Sequence, residues 1–275
     1  MDSRSMTRLN NGLSIPLLAL GVWRASEVEA AKAVCWAIEA GCRHIDTAAI
    51  YRNEEGVGKG LRDSGVPREE IFVTTKLWND DMRSRRQRQA FEESLERLQT
   101  DYVDLYLIHW PVEGVFVESW KILEEIYESG RAKAIGVSNF HERHLDELLE
   151  SAAIPPATNQ IECHPWLSQA PLIARCAREG IVCEAWSPLG GLGAPLSTDP
   201  ELLRIAGKYG KTPLQIALRW NIQRGVVVLP KSIHRERIAE NARLYDFELD
   251  EEDMKAIGAR NQDHRFGPSP DDFDF

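Results

Sequence analysis

Eight short apolar runs recur along the chain, and a longer amphipathic stretch separates each run from the next. The runs occupy residues 17–22, 43–46, 71–75, 103–108, 132–137, 158–162, 182–186 and 226–229. Buried strands that alternate with amphipathic helices are typical of parallel α/β folds, because a crossover must bring the chain back to the same end of the sheet. Eight such units within 275 residues predict a single (β/α)8 TIM barrel domain spanning residues 1–275.

A doubly wound open sheet shows the same alternation and is the alternative fold. If such a sheet bound a dinucleotide, it would need a glycine-rich turn after its first strand. Residues 23–26, which follow the first run, contain no glycine. The closely spaced Gly56, Gly58 and Gly60 lie in an acidic helical stretch instead of after a strand. The barrel is therefore the prediction.

Local signals add detail at the N-terminal end. Asn11 and Gly12 stand between alternating residues, which predicts a β-hairpin at about residues 7–16. Ser26 and Glu29 have the spacing of a capping box and predict the start of the first helix.

Composition excludes several function classes. Asp and Glu total 43 against 33 Lys and Arg, and a net charge of −10 disfavours binding to nucleic acid or to an anionic membrane. The five cysteines are odd in number and include no CxxC pair, so we expect a reducing cytoplasm and neither a disulfide framework nor a structural zinc site. His141 and His144 are three residues apart instead of four, so they do not form an HExxH motif, and we expect no metal. No leader and no membrane-spanning stretch is expected.

Four chemically complementary residues end or follow the second, third and fourth runs, namely Asp46, Tyr51, Lys76 and His109. Each one alone has an ordinary structural interpretation, such as a cap, a solvated charge or a core histidine. Catalytic residues of a (β/α)8 barrel come from the carboxyl ends of its strands. Because all four belong to one rim, the sequence favours a shared site.

The four side chains also form a plausible proton-donating set. A tyrosine has a pKa near ~10, which is high for a general acid at neutral pH. The Lys76 ammonium would lower that pKa, Asp46 would hold Lys76 in place, and His109 would orient the substrate oxygen. Proton transfer from Tyr51 to an oxygen that gains negative charge is the chemistry of carbonyl reduction, provided that a hydride is supplied.

Three separated segments resemble the signature motifs of a known family. They are GCRHIDTAAIYRNE at 41–54, IGVSNF at 135–140 and LPKSIHRERIAEN at 229–241, with shorter matches at 75–78, 108–111 and 159–162. They occur in the right order, and the likeness runs from about residue 7 to the C-terminus. The chain is identified as a member of the aldo-keto reductase family, similar to its bacterial diketogluconate and glyoxal reductase branch. This resemblance implies a catalytic tetrad of Asp46, Tyr51, Lys76 and His109.

The resemblance also implies NADPH as the cofactor, bound along the barrel rim without a Rossmann motif. The implied contacts to nicotinamide and pyrophosphate are Ser138, Asn139, Gln160, Trp186, Ser187, Leu189 and Gly190. Amide and hydroxyl groups suit the nicotinamide carboxamide, which both donates and accepts. Trp186 stands where the family commonly stacks a tyrosine on the nicotinamide ring, and both residues offer a flat face.

At the other end of the cofactor, Lys231, Ser232 and Arg237 match the family's clamp for the 2′-phosphate. Two cations and a hydroxyl suit a dianion. His234 stands where related bacterial enzymes can have arginine. Glu240 and Asn241 are implied contacts of the adenine.

The substrate pocket implied by the resemblance has apolar, flat walls. Its residues are Trp23, Ile50, Trp78 and Trp110. The tail, about residues 261–275, contains Phe266, Phe273 and Phe275. We expect it to form an ordered loop over the active-site mouth.

The sequence thus predicts a cytoplasmic, monomeric, NADPH-dependent enzyme that reduces aldehydes, α-dicarbonyls or keto sugars to alcohols. One alternative is a non-catalytic NADP(H)-binding barrel with a regulatory or structural role, which an intact tetrad disfavours. Another is an aldolase that forms a Schiff base on Lys76.

Overall fold

The computed structural model describes residues 5–191 and 194–272 of the chain. Its first two strands form a separate antiparallel hairpin, and eight more form one parallel sheet. The strands are β1 (Met6–Arg8), β2 (Ser14–Pro16), β3 (Leu20–Gly21), β4 (His44–Asp46), β5 (Phe72–Leu77), β6 (Leu105–Ile108), β7 (Ile135–Ser138), β8 (Thr158–Glu162), β9 (Val182–Trp186) and β10 (Val227–Leu229).

The parallel sheet closes into a barrel. Its strands pair in chain order from β3 to β10. The two ends meet where Ala19 donates its backbone N–H to Val228 (2.9 Å) and Val228 donates to Leu17 (2.9 Å). The predicted (β/α)8 barrel is confirmed. The run at 17–22 forms only a two-residue regular strand, because its neighbours pair with the last strand through isolated bridges.

The predicted hairpin is also confirmed, with Thr7 opposite Ile15. It lies across the end of the barrel at which the strands begin. Asn10 donates its side-chain amide to the carbonyl of Pro156 (2.9 Å), and Asn11 donates to Lys133 (2.9 Å). Because the hairpin covers this end, the opposite end is left for a site.

Helices surround the barrel. They are α1 (Glu27–Glu39), α2 (Glu54–Asp63), α3 (Asn79–Arg83), α4 (Gln87–Leu98), α5 (Phe116–Glu128), α6 (Glu142–Leu149), α7 (Ala170–Arg178), α8 (Pro200–Tyr209), α9 (Pro213–Gln223), α10 (Arg235–Asn241) and α11 (Glu251–Gly258). The predicted capping box of Ser26 and Glu29 starts α1. No helix in the described ranges is long and apolar enough to cross a bilayer.

The glycines of α2 have a packing role. A Cβ on Gly56 would lie 2.2 Å from the carbonyl oxygen of Glu27, and one on Gly58 would lie 2.3 Å from that of Leu98. Helix α2 therefore packs backbone to backbone against α1 and α4, which only glycine allows. This arrangement holds the loop between β4 and α2 close to the barrel rim.

Candidate active site

The first three barrel crossovers bring the four predicted catalytic side chains to one rim. Asp46 ends β4, Lys76 lies near the end of β5, and His109 directly follows β6. Asp46 is paired with Thr74 in the sheet, so Lys76 lies two residues further along and points to the same face. Tyr51 ends a short 3₁₀ turn at Ala49–Tyr51 in the loop after β4.

Asn53 fixes the loop that carries Tyr51. Its buried side-chain amide donates to the carbonyls of Val22 (2.9 Å) and Ala25 (3.0 Å) and accepts from the Thr47 hydroxyl (2.9 Å). The loop is therefore tied to the chain that leaves the first barrel strand. Sequence reasoning did not single out Asn53, although it lies within the 41–54 motif.

Lys76 is completely buried, and its ammonium is hydrogen-bonded within the protein. Its Nζ atom donates to both carboxylate oxygens of Asp46 (2.7 and 2.9 Å) and to the carbonyl of Thr47 (2.8 Å). Gln160 donates Nε2 to the same Asp46 carboxylate (2.9 Å). The predicted Asp46–Lys76 pair is present, and Gln160 lies beside it.

Lys76 also lies below the tyrosine ring. Its Nζ atom is 5.2 Å from the centroid of Tyr51. Burial would lower the pKa of Lys76, but Asp46 and Tyr51 together raise it, so the ammonium is retained. Burial raises the pKa of Tyr51, while Lys76 opposes this effect. The expected lowering by Lys76 is thus outweighed by desolvation, and the phenol holds its proton at neutral pH.

His109 packs edge to face against two aromatic rings. Its ring centroid lies 5.7 Å from Tyr51 and 5.2 Å from Trp78. Burial, together with the Lys76 charge, lowers the pKa of His109 well below its usual value. The imidazole is therefore neutral at physiological pH and can orient a substrate oxygen through a hydrogen bond without adding a charge.

The residues assigned to the carboxamide form one network across β7, β8 and β9. Asn139 is left-handed (φ 64°) and donates its side-chain amide to the His109 carbonyl (3.0 Å) and to the Ser138 hydroxyl (3.1 Å). Trp186 donates its indole N–H to Oδ1 of Asn139 (2.8 Å). The amide orientation of Asn139 is thereby fixed, and one lone pair of Oδ1 is left for a ligand donor.

The loop after β9 makes a sharp turn at the rim. Ser187 (φ 46°) and Gly190 (φ 74°) are both left-handed, and Gly190 donates its backbone N–H to the Ser187 carbonyl (2.8 Å). Leu189 is half-buried within this turn. The arrangement brings backbone close to the rim beside Trp186, where the pyrophosphate was expected.

The assigned phosphate clamp follows β10. Lys231 and Arg237 are exposed, whereas Ser232 between them is buried. In the described ranges, neither cation lies in an ion pair. Two exposed cations after β10 and a partly accessible indole at the end of β9 are groups that suit the 2′-phosphate and nicotinamide of NADP(H). Glu240 accepts from the Thr212 hydroxyl (2.7 Å), and Asn241 is mostly buried.

The assigned substrate residues differ in their surroundings. Trp78 contacts His109, while Ile50 precedes Tyr51 in the 3₁₀ turn. Trp110 is buried directly after His109. Trp23 is 50% exposed, and the Arg24 guanidinium lies 4.3 Å from its ring centroid. Trp23 is therefore largely exposed to solvent, whereas Trp78 contacts a member of the tetrad.

Two buried carboxylates beside the site were not predicted as functional. Glu184 on β9 is fully buried, and its polar neighbours Thr158 and Gln160 only partly compensate its charge. Burial raises its pKa to about 8, and Asp46 contributes to the shift. Glu162, at the end of β8, binds the C-terminal segment. A charged residue within an apolar run was the available sequence signal for both.

Comparison with known proteins identifies the family. The profile of the aldo/keto reductase family matches residues 17–262. The chain belongs to the aldo/keto reductase family.

Two curated relatives are similar over nearly their whole length. The 9,11-endoperoxide prostaglandin H2 reductase of Trypanosoma cruzi is 51% identical, with 96% of this chain and 94% of the relative covered. The glyoxal reductase of Bacillus subtilis is 50% identical, with 99% and 98% covered.

The solved structure of one relative indicates the cofactor. The structure of an aldo-keto reductase from Bombyx mori in complex with NADP is 42% identical and superposes with a TM-score of 0.91, over 97% of this chain and 95% of that one. The protein is accordingly an NADP(H)-dependent oxidoreductase that reduces carbonyl groups.

Proposed function

We propose that this aldo-keto reductase reduces aldehydes and α-dicarbonyls with NADPH, and that Tyr51 is the proton donor. The observation that carries the proposal is the position of Tyr51 over the fully bonded Lys76 ammonium, 5.2 Å from the ring centroid. The α-dicarbonyl class is supported by the 50% identity to a glyoxal reductase.

NADPH supplies the hydride when bound, and the chain supplies the proton. The Tyr51 phenol, which is neutral before reaction, donates its proton to the carbonyl oxygen as negative charge develops there. Lys76 stabilises the phenolate that remains, because its positive charge is fixed nearby in a site of low dielectric. The neutral His109 ring orients the carbonyl oxygen toward Tyr51.

Lys76 does not suit the alternative role of a Schiff-base nucleophile. Its side chain is completely buried, and its Nζ atom donates to Asp46 and Thr47. A nucleophilic lysine must present a neutral amine to the substrate. Here the surrounding charges raise the pKa of Lys76 and retain the ammonium.

The binding residues extend this proposal along the rim. Ser138, Asn139 and Gln160 hold the carboxamide, Trp186 stacks on the nicotinamide, and residues 187–190 lie along the pyrophosphate. The clamp of Lys231, Ser232 and Arg237 binds the 2′-phosphate, with Glu240 and Asn241 at the adenine. The wall formed by Trp23, Ile50, Trp78 and Trp110 admits small carbonyl compounds, and keto sugars are the largest class that we propose.

Replacing Tyr51 by phenylalanine tests the proton donor. The Tyr51→Phe variant should lose at least ~10²-fold in kcat with glyoxal and NADPH, because a positioned general acid is removed. Its affinity for NADPH, measured by fluorescence titration, should hardly change. A matched control is Tyr209→Phe, which removes a phenol bonded to Asp253 outside the barrel rim.

A Tyr51→Phe enzyme that keeps most of its kcat would show that another group donates the proton. Absence of NADPH oxidation by the wild type across glyoxal, methylglyoxal and a keto sugar would favour a non-catalytic barrel.

We further propose that the enzyme is a cytoplasmic monomer. All five cysteines are free thiols, which suits a reducing compartment. Light scattering after size-exclusion chromatography would test the oligomeric state.

A further inference from the structure

The C-terminal segment 261–272, here called the strap, lies over the rim beside β8 and β9. It begins against the loop after β8, where Gln262 and His264 donate their backbone N–H groups to the carbonyl of Trp166 (3.0 and 3.1 Å). Phe266 then packs its ring against His164 and Trp166, with centroids 5.3 and 6.0 Å apart.

Glu162 binds the centre of the strap. Its side chain is completely buried, yet Oε1 accepts the backbone N–H of Phe266 (2.8 Å), and both oxygens lie 3.2 Å from the backbone nitrogen of Gly267. His164 lies 3.2 Å from Oε1, and the Arg265 guanidinium is 3.8 Å from Oε2. A carboxylate that accepts from two consecutive backbone groups holds that backbone strongly.

The far end of the strap has a second anchor. Asp271 accepts from the His141 ring (2.7 Å) and from the Arg143 guanidinium (2.8 Å) at the start of α6. Arg265 donates Nη2 to the other ring nitrogen of His141 (2.7 Å). The strap is thus fixed on both sides of the Glu162 contact.

The held backbone lies directly against the proposed cofactor site. A Cβ on Gly267 would be 2.3 Å from Cη2 of Trp186 and 3.2 Å from Oε2 of Glu162. A Cβ on Gly191 would be 2.3 Å from Cβ of Phe266. Glu162 and Trp186 are also paired residues of neighbouring strands. One carboxylate therefore sets the distance between the strap and the edge of the indole.

We propose that Glu162 is a positioning residue that holds the strap against Trp186. Covering of the active-site mouth by the strap is thereby coupled to the position of the indole that stacks on the nicotinamide. This inference rests on the proposed function. It predicts that strap docking and NADP⁺ binding favour each other, because both depend on the position of the same indole. It also predicts that loss of the carboxylate opens the mouth without disturbing the tetrad.

Two variants at Glu162 show how far its effect depends on its acceptor oxygens. Glu162→Met keeps a similar side-chain volume and leaves the backbone N–H groups of Phe266 and Gly267 without an acceptor. Glu162→Gln keeps one acceptor oxygen and should restore part of the function. KM for glyoxal should rise roughly tenfold or more in Glu162→Met and less in Glu162→Gln, with a smaller change in kcat.

Trypsin digestion measures whether the strap is docked, and it does not depend on catalytic activity. Cleavage between Arg265 and Phe266, followed by mass spectrometry, should be slow in the wild type, fast in Glu162→Met and intermediate in Glu162→Gln. Saturating NADP⁺ should slow cleavage of the wild type, and it should slow cleavage of Glu162→Met less.

The control is Asp104→Asn, which weakens another carboxylate that binds a backbone N–H (Val73, 2.9 Å) and an arginine (Arg68, 2.9 Å) near the opposite end of the barrel. It should lower stability without exposing the Arg265 site. Equal cleavage of wild type and Glu162→Met, or wild-type cleavage that NADP⁺ leaves unchanged, would overturn the inference. If instead Tyr51→Phe remains active, the proposed mechanism fails while the trypsin result still stands.

Discussion

Lys76 and the pair Lys231 and Arg237 are cations of the same barrel rim, but their surroundings are opposite. Lys76 is completely buried, and its ammonium donates to Asp46 and Thr47. Lys231 and Arg237 are exposed, and in the described chain they lie in no ion pair. The first cation is satisfied by the protein itself, whereas the other two can be satisfied by a ligand.

The difference teaches which part of the site is preorganised. A buried ion pair with further hydrogen bonds cannot rearrange cheaply, so Lys76 would present a fixed field to Tyr51 in the proton transfer that we propose. An exposed, unpaired cation costs little when the site is empty and gains a charge-assisted bond when a phosphate arrives. Under the proposed function, the chemistry would depend on the buried cation and the choice of cofactor on the exposed ones.

The largest expected effect comes from breaking the buried pair. Lys76→Met should lower the free energy of unfolding by about 3–5 kcal/mol, because Asp46 would remain as an uncompensated buried charge. The loss can be measured by urea denaturation. Lys59→Met is the matched control, since Lys59 pairs with Asp63 on an exposed helix face, and such pairs contribute about 0–1 kcal/mol. Equal losses in both variants would remove the distinction between the two environments.

Glu184 sharpens the comparison, because it is buried near the same pair but lies in no salt bridge within the described chain. Its pKa is raised from 4.5 to about 8, so the folded state binds a proton that the unfolded state releases between these values. Stability from this group is present below pH 4.5 and is lost as the pH rises toward 8. Glu184→Gln, which mimics the protonated form, should therefore gain up to about 1.4 kcal/mol over wild type per pH unit across that window.

Denaturation at several pH values measures this gap. The control is Glu54→Gln. Glu54 is a buried carboxylate bonded to Thr75 (2.6 Å) and Arg97 (2.7 Å), so this substitution should lower the free energy of unfolding where Glu184→Gln raises it. A constant difference between wild type and Glu184→Gln at all pH values would mean that Glu184 does not take up a proton on folding.

The smallest effect is expected at the exposed cations. Arg237→Ala should weaken NADPH binding by roughly 10- to 100-fold, the size expected for one charged hydrogen bond, and should leave NADH nearly unchanged. Arg235→Ala on the same helix is the control, because Arg235 already pairs with Glu39 (2.9 Å). Equal weakening of both cofactors by Arg237→Ala would show that Arg237 does not read the 2′-phosphate.

The parts predicted from the sequence are those with local causes. Strand runs and the Ser26 capping box depend on residues close in the chain, so their patterns are visible directly. The tetrad was predicted because its four residues follow consecutive strands of a barrel. The Glu162 contact with Phe266 spans 104 residues and involves backbone donors, which carry no side-chain signal. Desolvation of Tyr51 was missed for a similar reason, since burial arises only from the assembled rim.

The tail was only partly predictable. Its position over the rim agrees with the expected loop, and Phe266 lies within it. Phe273 and Phe275 lie outside the described residues. The two anchors of the strap, Glu162 and Asp271, depend on partners in distant segments and could not be derived from local pattern.

The pairing between β3 and β10, here called the seam, closes the barrel. It has a consequence for folding of the newly made chain and for ligand binding. Leu18 pairs with Val228, and Gly21 pairs with Lys231. One edge of the first barrel strand therefore has no partner until nearly the whole chain has been made. Closing so long a loop is entropically costly and slow. Until the loop closes, the exposed edge of the first barrel strand can pair with a wrong strand. Lys231 is itself part of this seam. If it binds the 2′-phosphate as proposed, a bound dinucleotide would also stabilise the contact that closes the barrel.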